Sequence, residues 1–159
     1  MLTNKAQALT YDFFIALAIF IALVSLVMAH WYFTSVQMQE TMEKNFAFRT
    51  TLSASQAWFK EGYPKYWNLE NVMELGLAND GKINRTKMEM LSQLGYAKVT
   101  LLLNLGTYNL RYEIYNKTND LIFLFPQDLD LTKAKNVYKI ERVAILDEQP
   151  VKVRTLVWD

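Results

Sequence analysis

An uninterrupted run without a formal charge, Phe13–Phe33, stands near the start of the chain and constrains everything after it. As a helix rising 1.5 Å per residue, this run would extend about 30 Å, roughly the hydrocarbon thickness of a bilayer. A helix in the core of a soluble protein has no need to be apolar on every side. The run therefore predicts one membrane-embedded helix, and the rest of the chain is long enough for a single compact domain.

The residues on either side of the run predict its direction. Lys5 precedes the run, and positive charge beside a membrane helix favours the cytoplasmic side. The other end carries side chains typical of a lipid–water interface, namely His30, Trp31, Tyr32 and Phe33. We therefore expect a single-pass membrane protein with a cytoplasmic N-terminus and its C-terminal domain outside the cell membrane.

Two simpler interpretations of the run remain open. A cleaved secretory signal would use the small residues Val27 and Ala29, and the mature chain would then begin at His30. Against this, Asp12 lies directly before the apolar run, and the run is longer than the apolar part of a typical signal. A plain membrane anchor is the second interpretation. Neither of them explains the residues that precede the run.

Those residues, Lys5-Ala6 followed by Gln7, resemble the leader of archaeal type IV pilin-like proteins, which is called a class III signal peptide. The resemblance implies that a prepilin peptidase cuts between Ala6 and Gln7 and that the apolar helix is retained. It also implies a role for the acid near the start of the mature helix, here Asp12. That carboxylate would pair with the new amine of a neighbouring subunit, or it is an interfacial carboxylate hydrated among lipid headgroups.

Beyond the apolar run the helical pattern continues through Thr34–Glu61, without Pro or Gly before Gly62. Apolar residues recur there at helical spacing, at Val36, Met38, Met42, Phe46, Leu52 and Phe59. We predict one helix of about fifty residues whose second half packs against the domain. A kinked pair of separate helices is the alternative.

The remaining chain predicts short helices followed by strands. Asn79-Asp80-Gly81 is typical of a turn, a helix is expected from about Thr86, and Tyr96–Leu105 favours a helix over a buried strand. Apolar residues then alternate with polar ones at Tyr108, Leu110, Tyr112 and Ile114. Further strands are predicted at Leu121–Phe125, Val137–Leu146 and Val151–Trp158, with a turn at Asp147–Pro150.

The predicted fold class is α+β, with the long N-terminal helix packed on a small antiparallel sheet of about four strands, as in pilins. The predicted segments are a leader at 1–6, a transmembrane or filament-core helix at 7–33, an amphipathic continuation at 34–61 and an extracytoplasmic head at 62–159. The resemblance to archaeal pilin-like proteins extends into the head, at Gly62-Tyr63-Pro64, Trp67-Asn68, Gly76-Leu77 and Lys87. We interpret the aromatic residues and glycines among these as core and turn positions.

No set of catalytic residues emerges from the sequence. The chain has no cysteine, and its one histidine, His30, lies at the predicted membrane edge. Asn79-Asp80-Gly81-Lys82 lacks the regular acidic ligands of a calcium loop, so a turn is favoured. The 17 basic and 16 acidic residues nearly cancel, which argues against nucleic-acid binding. We expect no enzyme activity, cofactor or metal. Two sequons, at Asn84 and Asn116, are possible N-glycosylation sites.

These observations favour a structural function. The resemblance implies a subunit, minor or accessory, of an archaeal type IV pilus-like cell-surface filament. Its partners would be other pilin subunits, the prepilin peptidase, the pilus assembly platform and the membrane. The alternative is a single-pass, membrane-anchored binding or sensor domain that does not polymerise.

Overall fold

A computed structural model of the chain describes residues 3–132 and 134–159, with side chains from Tyr11 onward. The described helices and strands, in chain order, are α1 (Thr3–Gln56), β1 (Ala78–Asn79), β2 (Lys82–Ile83), α2 (Arg85–Leu94), α3 (Tyr96–Leu102), β3 (Asn109–Tyr115), β4 (Leu121–Phe125), β5 (Val137–Leu146) and β6 (Gln149–Trp158). The α+β class predicted from the sequence is confirmed.

Helix α1 is one α-helix of 54 residues, so the kinked pair of separate helices is wrong. The chain divides into two compact units, the first ending at Lys44 and the second, the C-terminal unit, comprising Asn45–Asp159. The helix ends at Gln56 rather than at Glu61. Beyond it, the carbonyls of Ala57 and Lys60 accept hydrogen bonds from the backbone N–H groups of Leu77 and Ala78. A returning segment therefore satisfies carbonyls that a further helical turn would otherwise have used.

The strands form one six-stranded sheet in the order β1-β2-β5-β6-β3-β4. The pairing is antiparallel except between β2 and β5, which meet in parallel at Ile83 and Leu146. The four longer strands lie where alternation predicted them. The two short ones were not predicted, because two residues on either side of the Asp80-Gly81 turn are too few to show a period.

A two-residue turn joins β5 to β6. Asp147 and Glu148 have φ values of 49° and 61°, the left-handed conformation that a type I′ hairpin turn requires at both positions. Leu146 pairs with Gln149 directly across this turn. The turn is therefore shorter than the predicted Asp147–Pro150, and Pro150 lies inside β6.

The last turns of α1 bury small residues rather than the large apolar ones that the sequence suggested. Ala47, Thr51 and Ala54 are buried, together with Trp58 just beyond the helix. The expected apolar positions Val36, Met38, Met42, Phe46 and Phe59 are exposed instead, and Leu52 is half-buried. Small side chains let the helix backbone approach the sheet closely, which is why this face carries them.

Two buried hydrogen bonds and one ring contact join the end of the helix to the sheet. The Tyr112 hydroxyl donates to the carbonyl of Ala54 at 2.6 Å, and Trp58 Nε1 donates to Thr155 Oγ1 at 3.0 Å. The two rings meet edge to face with centroids 4.8 Å apart. Burial raises the pKa of Tyr112, so its hydroxyl keeps its proton and remains a donor.

Ala54→Leu should destabilise the C-terminal unit by about 2–3 kcal/mol, because three added carbons have no space between α1 and β3. Ser53→Leu, on the exposed side of the same helical turn, is the matched control and should change stability by less than about 0.5 kcal/mol. Urea unfolding of the full chain in detergent, followed by tryptophan fluorescence, measures both. Equal destabilisation by the two variants would contradict the close packing of Ala54 against the sheet.

Candidate functional site

The first unit presents an apolar helix surface with no protein packed on it. Residues Tyr11–Gln56 include a stretch of mean hydropathy 2.6, none of it buried, and this helix is long and apolar enough to cross a membrane. Large side chains on every side are exposed, among them Phe13, Ile19, Leu23 and Leu26. A helix that is apolar all round needs lipid or other helices around it. This surface is the main candidate for function in the described chain.

The structure places the sequence-predicted residues of this region along α1. Lys5, Ala6 and Gln7, the predicted leader-cleavage residues, belong to the backbone of α1, but their side chains lie outside those that the structure describes. Asp12 is exposed and lies directly before the apolar run, about three turns from its middle. Its predicted pairing with another subunit stays a prediction.

The predicted interfacial residues His30, Trp31, Tyr32 and Phe33 are consecutive in α1 and exposed. Because successive helical residues are turned by about 100°, the four side chains surround the helix rather than share one face. Trp31, with 77% of its surface exposed, is the largest of them. An encircling set of aromatic side chains is what a lipid–water boundary accommodates.

The two sequons hold structural positions. Asn84 caps α2, and its Oδ1 accepts from the backbone N–H of Lys87 at 3.1 Å. Asn116 opens the β3–β4 turn, where its Nδ2 donates to Asp120 at 2.9 Å and its Oδ1 accepts from Thr118. The nitrogen that a glycan would take at Asn116 is thus a donor within the turn. Glycosylation of either residue stays a prediction.

Four of the head residues that carry the resemblance lie close together and are here called the Lys87 cluster: Gly62, Trp67, Gly76 and Lys87. Trp67 is buried, and its Nε1 donates to the carbonyl of Gly76 at 2.8 Å. A Cβ on Gly76 would overlap the backbone nitrogen of Gly62, so the two glycines let two chain segments touch. Trp67 and the two glycines are core and turn positions, as the sequence analysis interpreted them.

Lys87 is the member of the cluster that sequence reasoning did not single out as buried. Only 3% of its surface is exposed, and its Nζ donates to the carbonyl of Glu61 at 2.5 Å and to that of Ala78 at 2.9 Å. Burial lowers the pKa of this ammonium group. Lys87 precedes Leu91 by one helical turn on the buried face of α2, and that spacing was the available signal. The lysine ties α2 to two earlier segments of the chain, at Glu61 and at Ala78.

Two adjoining grooves lie in the C-terminal unit, between α2, β4 and the β5–β6 turn. Their volumes are about 510 Å³ and about 330 Å³, and Arg85, Ile122 and Leu146 line both. Arg85 donates to Asp147 at 2.5 Å, so its guanidinium already has an anionic partner. Among the side chains described, no three of the types His, Asp and Glu converge as a metal site. We assign no chemistry to these grooves.

Comparison with protein-family models, with curated proteins and with solved structures found no match to this chain.

Gly76→Ala should destabilise the C-terminal unit by about 3 kcal/mol or more, because the added Cβ meets backbone that cannot move aside. Gly81→Ala is the control, since nothing lies within 4 Å of its Cβ position and only its left-handed φ is unfavourable. That control should cost about 1 kcal/mol. Urea unfolding compares the two, and a larger loss for Gly81→Ala would contradict the close backbone contact.

The lowered pKa of Lys87 predicts a pH dependence of stability. The unfolded chain binds more protons than the folded one between the lowered pKa and the ordinary value of 10.5, so stability should rise with pH in that window. Lys87→Met removes this titration. The free energy of unfolding of the natural chain minus that of the variant should therefore increase from about pH 7 to about pH 10. Urea titrations at several pH values measure it, and a flat difference would refute the effect.

Proposed function

We propose that this chain is a structural subunit, minor or accessory, of an archaeal type IV pilus-like filament, matured by a prepilin peptidase that cuts between Ala6 and Gln7. The observation that supports this most is helix α1, which continues without a break through an apolar stretch whose large side chains are exposed. A precursor of this kind keeps its helix in lipid, and an assembled subunit would exchange lipid for neighbouring helices.

Small residues along the apolar stretch support packing between such helices. Ala18, Ala22, Ser25 and Ala29 follow one another at intervals of four, three and four residues and so share one face of α1. Helices in lipid gain no hydrophobic free energy by meeting, and close backbone approach at small residues is the usual source of their attraction. This face is where we expect a neighbouring helix to lie closest.

Asp12 supplies the second element of the proposal. A carboxylate beside an apolar helix segment is costly in a dry helical bundle unless a cation pairs with it. Cleavage after Ala6 would create an amine on Gln7, and the amine of a neighbouring subunit would supply that cation. The same contact would fix the axial offset between neighbouring subunits.

The proposal also sets the location and partners of the chain. The precursor would be a single-pass protein of the cell membrane with its N-terminus in the cytoplasm, and the assembled subunit would be extracellular. The partners would be other pilin subunits, the prepilin peptidase and the pilus assembly platform. A membrane-anchored binding domain that never polymerises would share the anchor but would need no cleavage.

Co-expression with an archaeal prepilin peptidase should yield a membrane-bound product that begins at Gln7 and still contains Phe13–Phe33. Edman sequencing or mass spectrometry of the purified product measures this directly. A Lys5→Ala, Ala6→Leu double variant is the control and should remain uncut, since both residues that precede the bond are changed.

Other outcomes would overturn the proposal. An intact N-terminus in the presence of a peptidase that cuts a known substrate would leave the non-polymerising anchor. A product that begins at His30 would indicate a cleaved secretory signal.

A further inference from the structure

Strand β5 leaves most of one backbone edge without a partner. On one side it pairs with β6 along its whole length. On the other side, its pairing with described strands is limited to the contact of Leu146 with Ile83 of β2. Residues 137–143, here called the β5 edge, therefore present hydrogen-bonding groups to solvent.

The hairpin turn determines which groups these are. In a two-residue hairpin the residues that flank the turn, here Leu146 and Gln149, exchange backbone hydrogen bonds. Because bonding direction alternates along a strand, the even-numbered residues of β5 bond to β6 and the odd-numbered ones point away from it. The N–H and C=O groups of Val137, Lys139, Glu141 and Val143 thus face outward along the β5 edge.

The side chains at these positions are also accessible. Val143 has 74% of its surface exposed and Val137 has 49%. Lys139 and Glu141 lie between them, and their charged groups are 3.7 Å apart in the same strand. Proteins protect a long edge with charged side chains, proline, a bulge or a cover. Residues 137–143 carry the charges of Lys139 and Glu141, but they pair with β6 in unbroken register and contain no proline.

We propose that the β5 edge pairs with the β5 edge of a second copy of this chain, antiparallel, about a two-fold axis at Ile140. Such a contact is self-complementary, and it merges two sheets by main-chain hydrogen bonds. The register centred on Ile140 overlaps residues 137–143 completely and sets Val137 opposite Val143 of the second copy.

Charge complementarity selects this register. In the sheet, residues directly opposite each other point to the same face, and like charges so placed are destabilising. If the two-fold axis passed through Lys139 or through Glu141, that residue would lie directly opposite the same residue of the second copy. Centring it on Ile140 instead sets Lys139 opposite Glu141 twice, once on each side of the axis. When two copies of the β5 edge pair antiparallel, the order of Lys139 and Glu141 along the strand therefore brings opposite charges together.

This pairing uses only the C-terminal unit, so it goes beyond the proposed filament function and does not rest on it. It would hold for a precursor waiting in the membrane and equally for an anchored domain that never polymerises. The occupant it names is a second copy of the same chain, related by a two-fold axis.

Cysteine cross-linking of the full chain in membranes tests the register, since the natural chain has no cysteine. Val137→Cys and Val143→Cys chains carrying tags of different size are co-expressed, oxidised with copper phenanthroline and separated without reductant. In the proposed register the paired positions have Cα atoms about 5.5 Å apart, within the range that a disulfide spans. We expect a strong heterodisulfide band.

Either variant expressed alone is the matched control. Two copies of position 143 would lie six residues out of register, about 20 Å apart, so a homodisulfide should be at least tenfold weaker. Unchanged tryptophan emission verifies that each variant is folded. A homodisulfide of Val143→Cys as strong as the heterodisulfide, or no heterodisulfide at all, would overturn the proposal.

A charge variant provides a second, independent test. Lys139→Glu added to both cysteine chains sets two carboxylates opposite each other on each side of the axis and should reduce the heterodisulfide several-fold. Lys117→Glu, the same change on the exposed β3–β4 turn, should leave it unchanged. Equal cross-linking with both charge variants would refute the register. Repeating the test on the Lys5→Ala, Ala6→Leu precursor, which should remain uncut, separates this result from the success or failure of the filament proposal.

Discussion

The seam between the end of helix α1 and the sheet is the contact on which the C-terminal unit depends. Ala54 has no side chain beyond its Cβ, so β3 approaches closely enough for the Tyr112 hydroxyl to reach a helix carbonyl. Trp58 fills the adjoining space and reaches across to Thr155 of β6. Strands β3 and β6 are thereby fixed to the end of the helix by buried hydrogen bonds. The position of the edge strands follows from that of these two.

Much of the fold could be predicted from the sequence because the apolar residues that recur at every second position of a strand are the ones that the structure buries. Leu110, Tyr112 and Ile114 alternate as expected for a strand with one buried face, and all three are buried. The continuity of the first helix was predictable from the absence of Pro and Gly, but its end at Gln56 rather than at Glu61 was not. The face of the helix that packs on the sheet was not predictable. Its alanine and threonine residues are much less hydrophobic than Phe46 and Met42, which lie on exposed faces. The fit between the small residues of α1 and the sheet depends on two segments that are distant in the chain, so neither segment alone reveals it.

The Lys87 cluster shows a second limit of sequence reasoning. A lysine is ordinarily assigned to solvent, and its burial here depends on the carbonyls of Glu61 and Ala78, which two earlier chain segments bring near it. The candidate site has the opposite character. The apolar run of α1 was predictable residue by residue, because the apolar character of a helix that is exposed on every side is set by each side chain separately. What surrounds this helix depends on other molecules, and the roles of Lys5, Ala6, Gln7 and Asp12 stay predictions.

The place of β6 in the sheet has a consequence for how the chain reaches its native state. β6 is the last strand in chain order, yet it lies between β3 and β5 and pairs with both. The Trp58 contact that it completes spans 97 residues. Until β6 arrives, the sheet consists of two separate halves, and contacts this distant in sequence form slowly. During synthesis from the N-terminus, the C-terminal unit would therefore stay unfolded until β6 had been made, which leaves the earlier strands pliable for the whole of that time.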